Sequence, residues 1–421
     1  MSSCLDYQVS RRRFLGQFSG TAALLGMPIN RLVAALGSAH APKAESVILF
    51  WNGGGMSHID TWDPKPGRPT AGELDPIKTS ADGIQISEVF PLLAKQMHHC
   101  AIIRSIAGTN GDHGRATYEL QTSFPQNPAI VHPGLGSFIV NERRIASDLP
   151  SYISIGGMAP RAGYLGQRCE AYYIGLPGER DPYLAFPDGI NHAQGERRLE
   201  ILARMNSRAS GKVSAADLKE SEVALKDAVK LMKSPALASF DLDKENPKTL
   251  ERYGLTEFGR ATLLAKKLVE TGVRFVQINR GGFDNHTDIF PAMRNHGGVM
   301  DSAMASLVED LAASGRLEKT LVLMLSEFGR TPKINKDAGR DHHAKVFSCI
   351  MAGGGIKGGQ VIGSSDIDGM EPANRPVQVP DLHASVCHAL GIDHTKELTT
   401  PSGRPMKLVK EGSKPVAELF A

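Results

Sequence analysis

A mostly parallel α/β fold is what this chain predicts, and three observations predict it. Short β-branched and aliphatic runs alternate with segments of helical period, which is the pattern of βα units. Polar or glycine-rich clusters follow several of those runs, where a strand in an open parallel sheet delivers its functional groups. The chain is also long enough, at 421 residues, to bury a large core as one big domain or as one domain with an insertion.

In order, the runs predict strands at Ser46–Trp51, Cys100–Ser105, Tyr152–Ile155, Val273–Ile278, Thr320–Leu325 and Phe347–Met351. Between them, Ala261, Leu264, Ala265 and Leu268 fall at i, i+3, i+4 and i+7, and Gly272 stands where a C-terminal glycine cap belongs. Met300, Met304, Leu307 and Leu311 repeat the stripe ahead of Thr320–Leu325, and Leu382–Leu390 predicts a final helix. The stretch from about 160 to 243 is charged, shows no strong strand, and contains a predicted helix over Ala215–Lys233. It is the candidate insertion or cap.

The first 41 residues predict an export signal. Ser10-Arg11-Arg12-Arg13-Phe14-Leu15 is followed by the apolar run Gly16–Met27 and the small-residue tripeptide Ala39-His40-Ala41, the layout of a twin-arginine signal. The run is too short to span a bilayer. Such a signal implies a periplasmic or extracellular location, the twin-arginine translocase as an export partner, and a chain able to load a metal before export. Removal of Arg11, Arg12, Arg13 and Arg31 against Asp6, four minus one, takes the net charge from +3 to zero. A neutral chain without a basic tract predicts no nucleic-acid partner, and no transmembrane stretch follows residue 41. Cys100, Cys169, Cys349 and Cys387 show no metal-knuckle or redox spacing, so their pairing stays open.

Chemistry is expected where the strands end. Asn52-Gly53-Gly54-Gly55-Met56-Ser57-His58-Ile59-Asp60 follows the first strand, and Asp112-His113-Gly114-Arg115 the second. Gly281-Gly282-Phe283-Asp284-Asn285-His286 follows the fourth and Ser326-Glu327-Phe328-Gly329-Arg330 the fifth, while Gly339-Arg340-Asp341-His342-His343 precedes the sixth. Imidazole and carboxylate gathered at adjacent strand ends suit a divalent ion with nitrogen and oxygen ligands. Pro64, Pro66 and Pro69 deny the first turn the long helix of a dinucleotide fold. His98, His99, His296, His388 and His394 read as structural.

These motifs carry a resemblance. The twin-arginine start, Gly-Gly-Gly-Met-Ser-His-Ile-Asp-Thr-Trp-Asp-Pro-Lys-Pro at 53–66, Phe-Asp-Asn-His at 283–286, Ser-Glu-Phe-Gly-Arg-Thr-Pro at 326–332 and Gly-Arg-Asp-His-His at 339–343 resemble the exported bacterial family called domain of unknown function 1501. The glycine-rich 352–359 segment and Pro415–Phe420 fit as well. That family is similar in turn to the alkaline phosphatase and sulfatase superfamily, which implies a doubly wound, alkaline phosphatase-like sheet flanked by helices and a divalent metal. Against the superfamily pattern, Gly54 replaces one aspartate and Phe328 one histidine, and the pattern aligned through Leu120-Gln121-Thr122 puts His113 at the nucleophile position. No Cys-x-Pro-x-Arg or Ser-x-Pro-x-Arg occurs.

The resulting expectation is a metal-dependent hydrolase of phosphate or sulfate esters, acting on a small anionic ester or a polysaccharide-type substrate. The metal would be zinc, manganese or calcium, with zinc first. Its ligands are drawn from His58, Asp60, Asp284, His286, Glu327 and His342, with His343 an alternative to the last. The catalytic candidates are His113, Arg115 and Thr117, with Ser123 a further hydroxyl, and Arg115 or Arg330 would hold the anion. The competing expectation is a non-catalytic exported binding or assembly protein on the same scaffold.

Overall fold

Side-chain alternation along the first strand sets the layering. In Ser46–Asn52 (β1), Ile48 and Phe50 enter one hydrophobic core while Val47, Leu49 and Trp51 enter another, so both faces of the sheet need a cover. A computed structural model describes residues 43–144, 147–177, 189–208, 229–234, 237 and 240–420. The predicted export signal and most of the predicted helix Ala215–Lys233 lie outside the described residues.

Among the described residues the main sheet has nine strands. After β1 come Cys100–Ala107 (β2), Tyr152–Ile155 (β3), Tyr172–Ile174 (β4), Phe275–Arg280 (β5), Thr320–Leu325 (β6), Phe347–Ala352 (β7), Gln360–Ile362 (β8) and Val377–Gln378 (β9). They pair in the order β8-β2-β7-β6-β1-β5-β3-β4, with β9 also on β2. All pairings are parallel except the two made by β7. The chain therefore adopts the mostly parallel α/β fold that its sequence predicts. Three short edge strands, β4, β8 and β9, go beyond the sequence expectation. Of these, β4 draws part of the charged 160–243 stretch into the sheet.

Helices cover both faces, which makes the sheet doubly wound. On one side lie Pro247–Tyr253 (α4), Glu257–Glu270 (α5) and Ile289–Ala313 (α6). Ala261, Leu264, Ala265 and Leu268 of α5 and Met300, Met304, Leu307 and Leu311 of α6 are all buried in this core. On the other side lie His113–Thr122 (α1), Leu135–Glu142 (α2) and Val379–Leu390 (α7), through Leu120, Phe138, Ile139, Leu382 and Val386 among others. A further helix among the described residues, His192–Arg208 (α3), carries the exposed Ile201, Leu202 and Met205. No helix among the described residues is long and apolar enough to cross a membrane. Cys100, Cys169, Cys349 and Cys387 are all buried.

Register brings the polar clusters to one edge. Trp51 pairs with both Asn279 and Leu325, so β1, β5 and β6 end side by side and their following turns are neighbours. Because β7 runs against them, the segment that precedes it reaches the same edge. That reversal lets His342 meet residues that follow their strands.

Candidate metal centre

Four loops build the centre, and each is held by identifiable bonds. Asp112 caps α1 by accepting a hydrogen bond from the Arg115 amide at 3.0 Å, which fixes His113 in the first turn. The Gly329–Arg330 segment pairs antiparallel with His342–His343. Asn285 accepts from the Arg340 amide at 3.1 Å and Thr287 bridges Ala338, so the loop after β5 is tied to the same hairpin. Gly339 is needed there, because a Cβ would lie 2.0 Å from the His286 carbonyl oxygen.

Three imidazoles are oriented by acceptors behind them. His113 Nδ1 lies 2.7 Å from Glu327 Oε1, His286 Nδ1 2.9 Å from Asp341 Oδ1, and His342 Nδ1 2.7 Å from the Gly111 carbonyl oxygen. A carbonyl or an ionised carboxylate can only accept, so each Nδ1 carries the proton and each Nε2 of a neutral ring presents a lone pair. Those lone pairs converge. His286 Nε2 and His342 Nε2 stand 3.1 Å apart, and they lie 3.0 and 3.1 Å from Asp284 Oδ1. His113 Nε2 is 3.3 Å from Asp284 Oδ2 and is buried without a hydrogen-bond partner. His113, Asp284 and His342 each offer a ligand atom within 4.8 Å of the others.

Asp284 is ionised in this setting. Partial burial pushes its carboxyl up, but the hydrogen bond and charge of the Arg330 guanidinium outweigh that and hold it below the ordinary carboxylate range. Its side chain is 47% exposed, so the centre opens to solvent on that side.

The residue set fits a cation. Facing lone pairs repel unless a proton or a metal ion lies between them, and ligands about 2.1 Å from a tetrahedral zinc sit roughly 3.4 Å from one another. Histidine ligands that donate Nδ1–H to a carboxylate or carbonyl are the usual arrangement behind a metal. Imidazole with carboxylate suits zinc or manganese better than calcium, which prefers oxygen alone.

Of the six ligand candidates, the structure brings Asp284, His286 and His342 together and places the other three differently. Glu327 is 2% exposed and sits behind His113, with Oε1 meeting the His113 Nδ1 and also accepting from the Gly54 amide at 2.8 Å. Asp60 is fully buried in a two-bond pair with Arg340, at 2.7 and 3.1 Å. His58 donates Nε2–H to the Gly369 carbonyl at 2.9 Å, and burial above all pushes its pKa down to about 4. Of the adjacent histidines only His342 joins the centre, because His343 donates to the Met370 carbonyl and stacks on His58.

The catalytic candidates also separate. His113 is in the centre. Arg115 is exposed and lines a cavity of about 920 Å³ with Glu119, Gln126, Gln378 and Lys410, and Thr117 is half-buried farther along α1. Ser123 is buried and accepts from the Lys410 amide. Arg330 is fully buried with its donors engaged by protein. Sequence reasoning missed Asp341 and the Gly111 carbonyl as orienting groups. Asp341 stood inside a quoted motif, and a backbone carbonyl leaves no sequence signal.

A family model described as "Protein of unknown function (DUF1501)" matches residues 44–420. No curated protein matches the chain. Among solved structures the chain is similar to a sulfatase from Pseudoalteromonas sp., at 13% identity over 93% of this chain and 74% of that one, with TM-score 0.40. It is similar to the lipoteichoic acid synthase LtaP from Listeria monocytogenes, at 9% identity, 89% and 77% coverage and TM-score 0.39. A third is the C-terminal periplasmic domain of EptC from Escherichia coli in complex with zinc, at 9% identity, 91% and 96% coverage and TM-score 0.36.

The Asp60–Arg340 pair generates a stability prediction. Asp60→Ala strands a buried guanidinium and is expected to cost about 3–5 kcal/mol in chemical denaturation. A loss below about 1 kcal/mol would contradict the structural assignment of Asp60.

Proposed function

The chain belongs to the DUF1501 family of proteins of unknown function, and from that premise we propose that it is an exported metal-dependent hydrolase of phosphate or sulfate esters. The observation that carries the reading is the convergence of three imidazole Nε2 atoms on the Asp284 carboxylate, with every Nδ1 bonded away from the centre. His113, Asp284 and His342 would hold the ion, with His286 beside them. A divalent ion there would supply Lewis acidity toward an ester oxygen and lower the pKa of water.

The protein's own contribution is orientation and proton handling. Glu327 holds the Nδ1 proton of His113, so Nε2 can ligate or accept a proton from the attacking group. Among the described residues the side chains that meet the Asp284 carboxylate are His113, His286, Arg330 and His342, none of them a hydroxyl, which favours this role over an ordinary hydroxyl nucleophile. The start of α1 adds partial positive charge where an anionic ester would approach. The neighbouring cavity, lined by Asn110 and Arg115 on either side of Gly111 and His113, offers room for the rest of a polysaccharide-type substrate.

Two outcomes test this reading. After reconstitution with zinc or manganese, His113→Ala is expected to abolish hydrolysis of an aryl phosphate or sulfate, while Thr117→Ala retains most of it. The reverse pattern would restore a hydroxyl nucleophile, and no turnover by fully loaded wild type across an ester panel would favour a binding protein. For export, Arg11→Lys with Arg12→Lys is expected to leave the precursor in the cytoplasm, with Arg13 changed as well if the double variant is silent. Normal export of the triple variant, followed by cell fractionation, would reject the localisation.

A further inference from the structure

Two polar side chains stand opposite each other at the rim of the sheet with hydrogen-bonding groups unmet. Asn52 and Arg280 are cross-strand partners at the ends of β1 and β5. Alternation carries both onto the face covered by α5 and α6, since Ile48 and Phe50 precede the one, and Val276 and Ile278 the other, in the core on that side. Asn52 is fully buried, and neither its Oδ1 nor its Nδ2 has a partner. The Ser326 hydroxyl holds its backbone carbonyl at 2.7 Å.

Arg280 is half-buried, and its surroundings fix the guanidinium without neutralising it. Cζ lies 5.8 Å from the centroid of the Phe258 ring, and Nη2 donates to His296 Nδ1 at 3.1 Å. His296 is committed as an acceptor there, because its Nε2–H goes to the Gly282 carbonyl at 2.9 Å and the Phe283 ring stacks on it. Burial above all holds its pKa below the ordinary range, so it adds no charge. No carboxylate among the described residues pairs with Arg280, and its Nε is buried without a partner. The turn beyond it is open. Gly281 and Gly282 are exposed, and a Cβ at Gly281 would meet nothing within 4 Å.

What these groups lack defines the missing partner. Buried polar groups are as a rule satisfied, and a partly desolvated cation needs a counter-charge as well as hydrogen bonds. Water supplies the bonds but not the charge. An oxyanion supplies both to Arg280 Nε and Asn52 Nδ2, yet Asn52 Oδ1 can only accept. Against sulfate, that atom would face a bare oxygen. Inorganic phosphate keeps at least one P–OH near neutral pH and can donate it.

We propose that Asn52 and Arg280 form a binding site for inorganic phosphate, with His296 holding the guanidinium in position. The site lies on the α5 and α6 face of the sheet, whereas His113 reaches the metal centre from α1 on the other face. It stands or falls independently of the metal.

The experiment is isothermal titration calorimetry of sodium phosphate, and separately of sodium sulfate, into the full chain kept in EDTA so that no metal ion captures the anion. Wild type is expected to bind one phosphate per chain, roughly ten-fold or more tighter than sulfate, because an unpaired buried acceptor is costly. Asn52→Asp sets an internal carboxylate beside Arg280, and it is expected to abolish phosphate binding while keeping the thermal unfolding midpoint at or above that of wild type. Arg280→Gln is expected to abolish binding as well. Phosphate binding that persists in either folded variant would overturn the proposal. So would equal affinity for the two anions, or the absence of saturable phosphate binding in wild type, which would leave only water between the two side chains. If a variant does not fold, judged by circular dichroism, the wild-type phosphate and sulfate titrations decide.

Discussion

Repulsion among the three inward-facing Nε2 lone pairs is the constraint on which the rest of the arrangement depends. Each ring is committed to its orientation by an acceptor on the far side, Glu327, Asp341 or the Gly111 carbonyl, and none can relieve the crowding by rotating without losing that bond. Left neutral and empty of any cation, the cluster would store unfavourable electrostatics at the mouth of a stable sheet. A bound cation turns the same geometry into a source of folding free energy. Asp284, kept ionised beside Arg330, supplies the anionic component.

The scaffold explains how such distant residues meet. Parallel strands β1, β5 and β6 end together, and the antiparallel β7 delivers the preceding hairpin to the same edge. Buried arginines then weld the loops. Arg340 joins the turn after β1 to the hairpin through Asp60 and the Thr70 and Thr331 carbonyls, while Arg330 joins Gly54 and Gly55 to Asp284. Charges so deeply buried are expensive unless every donor has an acceptor, and here the acceptors are mainly backbone carbonyls of the loops that need holding. The motifs at 53–66, 326–332 and 339–343 are in this sense one structural unit.

Much of the fold was legible in the sequence, because central strands of a parallel sheet are buried on both faces and read as continuous aliphatic runs. Thr320–Leu325 was readable to the residue for this reason. Short edge strands such as Tyr172–Ile174 and Val377–Gln378 carry too few residues to show a period. The site was legible as a set of strand-end clusters, but not in its internal division of labour. His58 and Asp60 look as ligand-like as His342 and Asp284, and the difference lies in partners hundreds of residues away. Asp60 meets Arg340, whereas His58 meets the Gly369 carbonyl. Glu327 looks ligand-like for a related reason, since sequence shows a carboxylate at a strand end but not the His113 imidazole that its Oε1 meets.

X-ray absorption at the zinc edge, on the reconstituted protein, tests the central claim most directly. A first shell of nitrogen and oxygen near 2.0–2.1 Å, with the outer-shell scattering of at least two imidazoles that His113→Ala and His342→Ala each diminish, is the predicted result. A shell of oxygen alone, or an imidazole signal that neither substitution alters, would contradict the assignment of the convergent histidines to a metal.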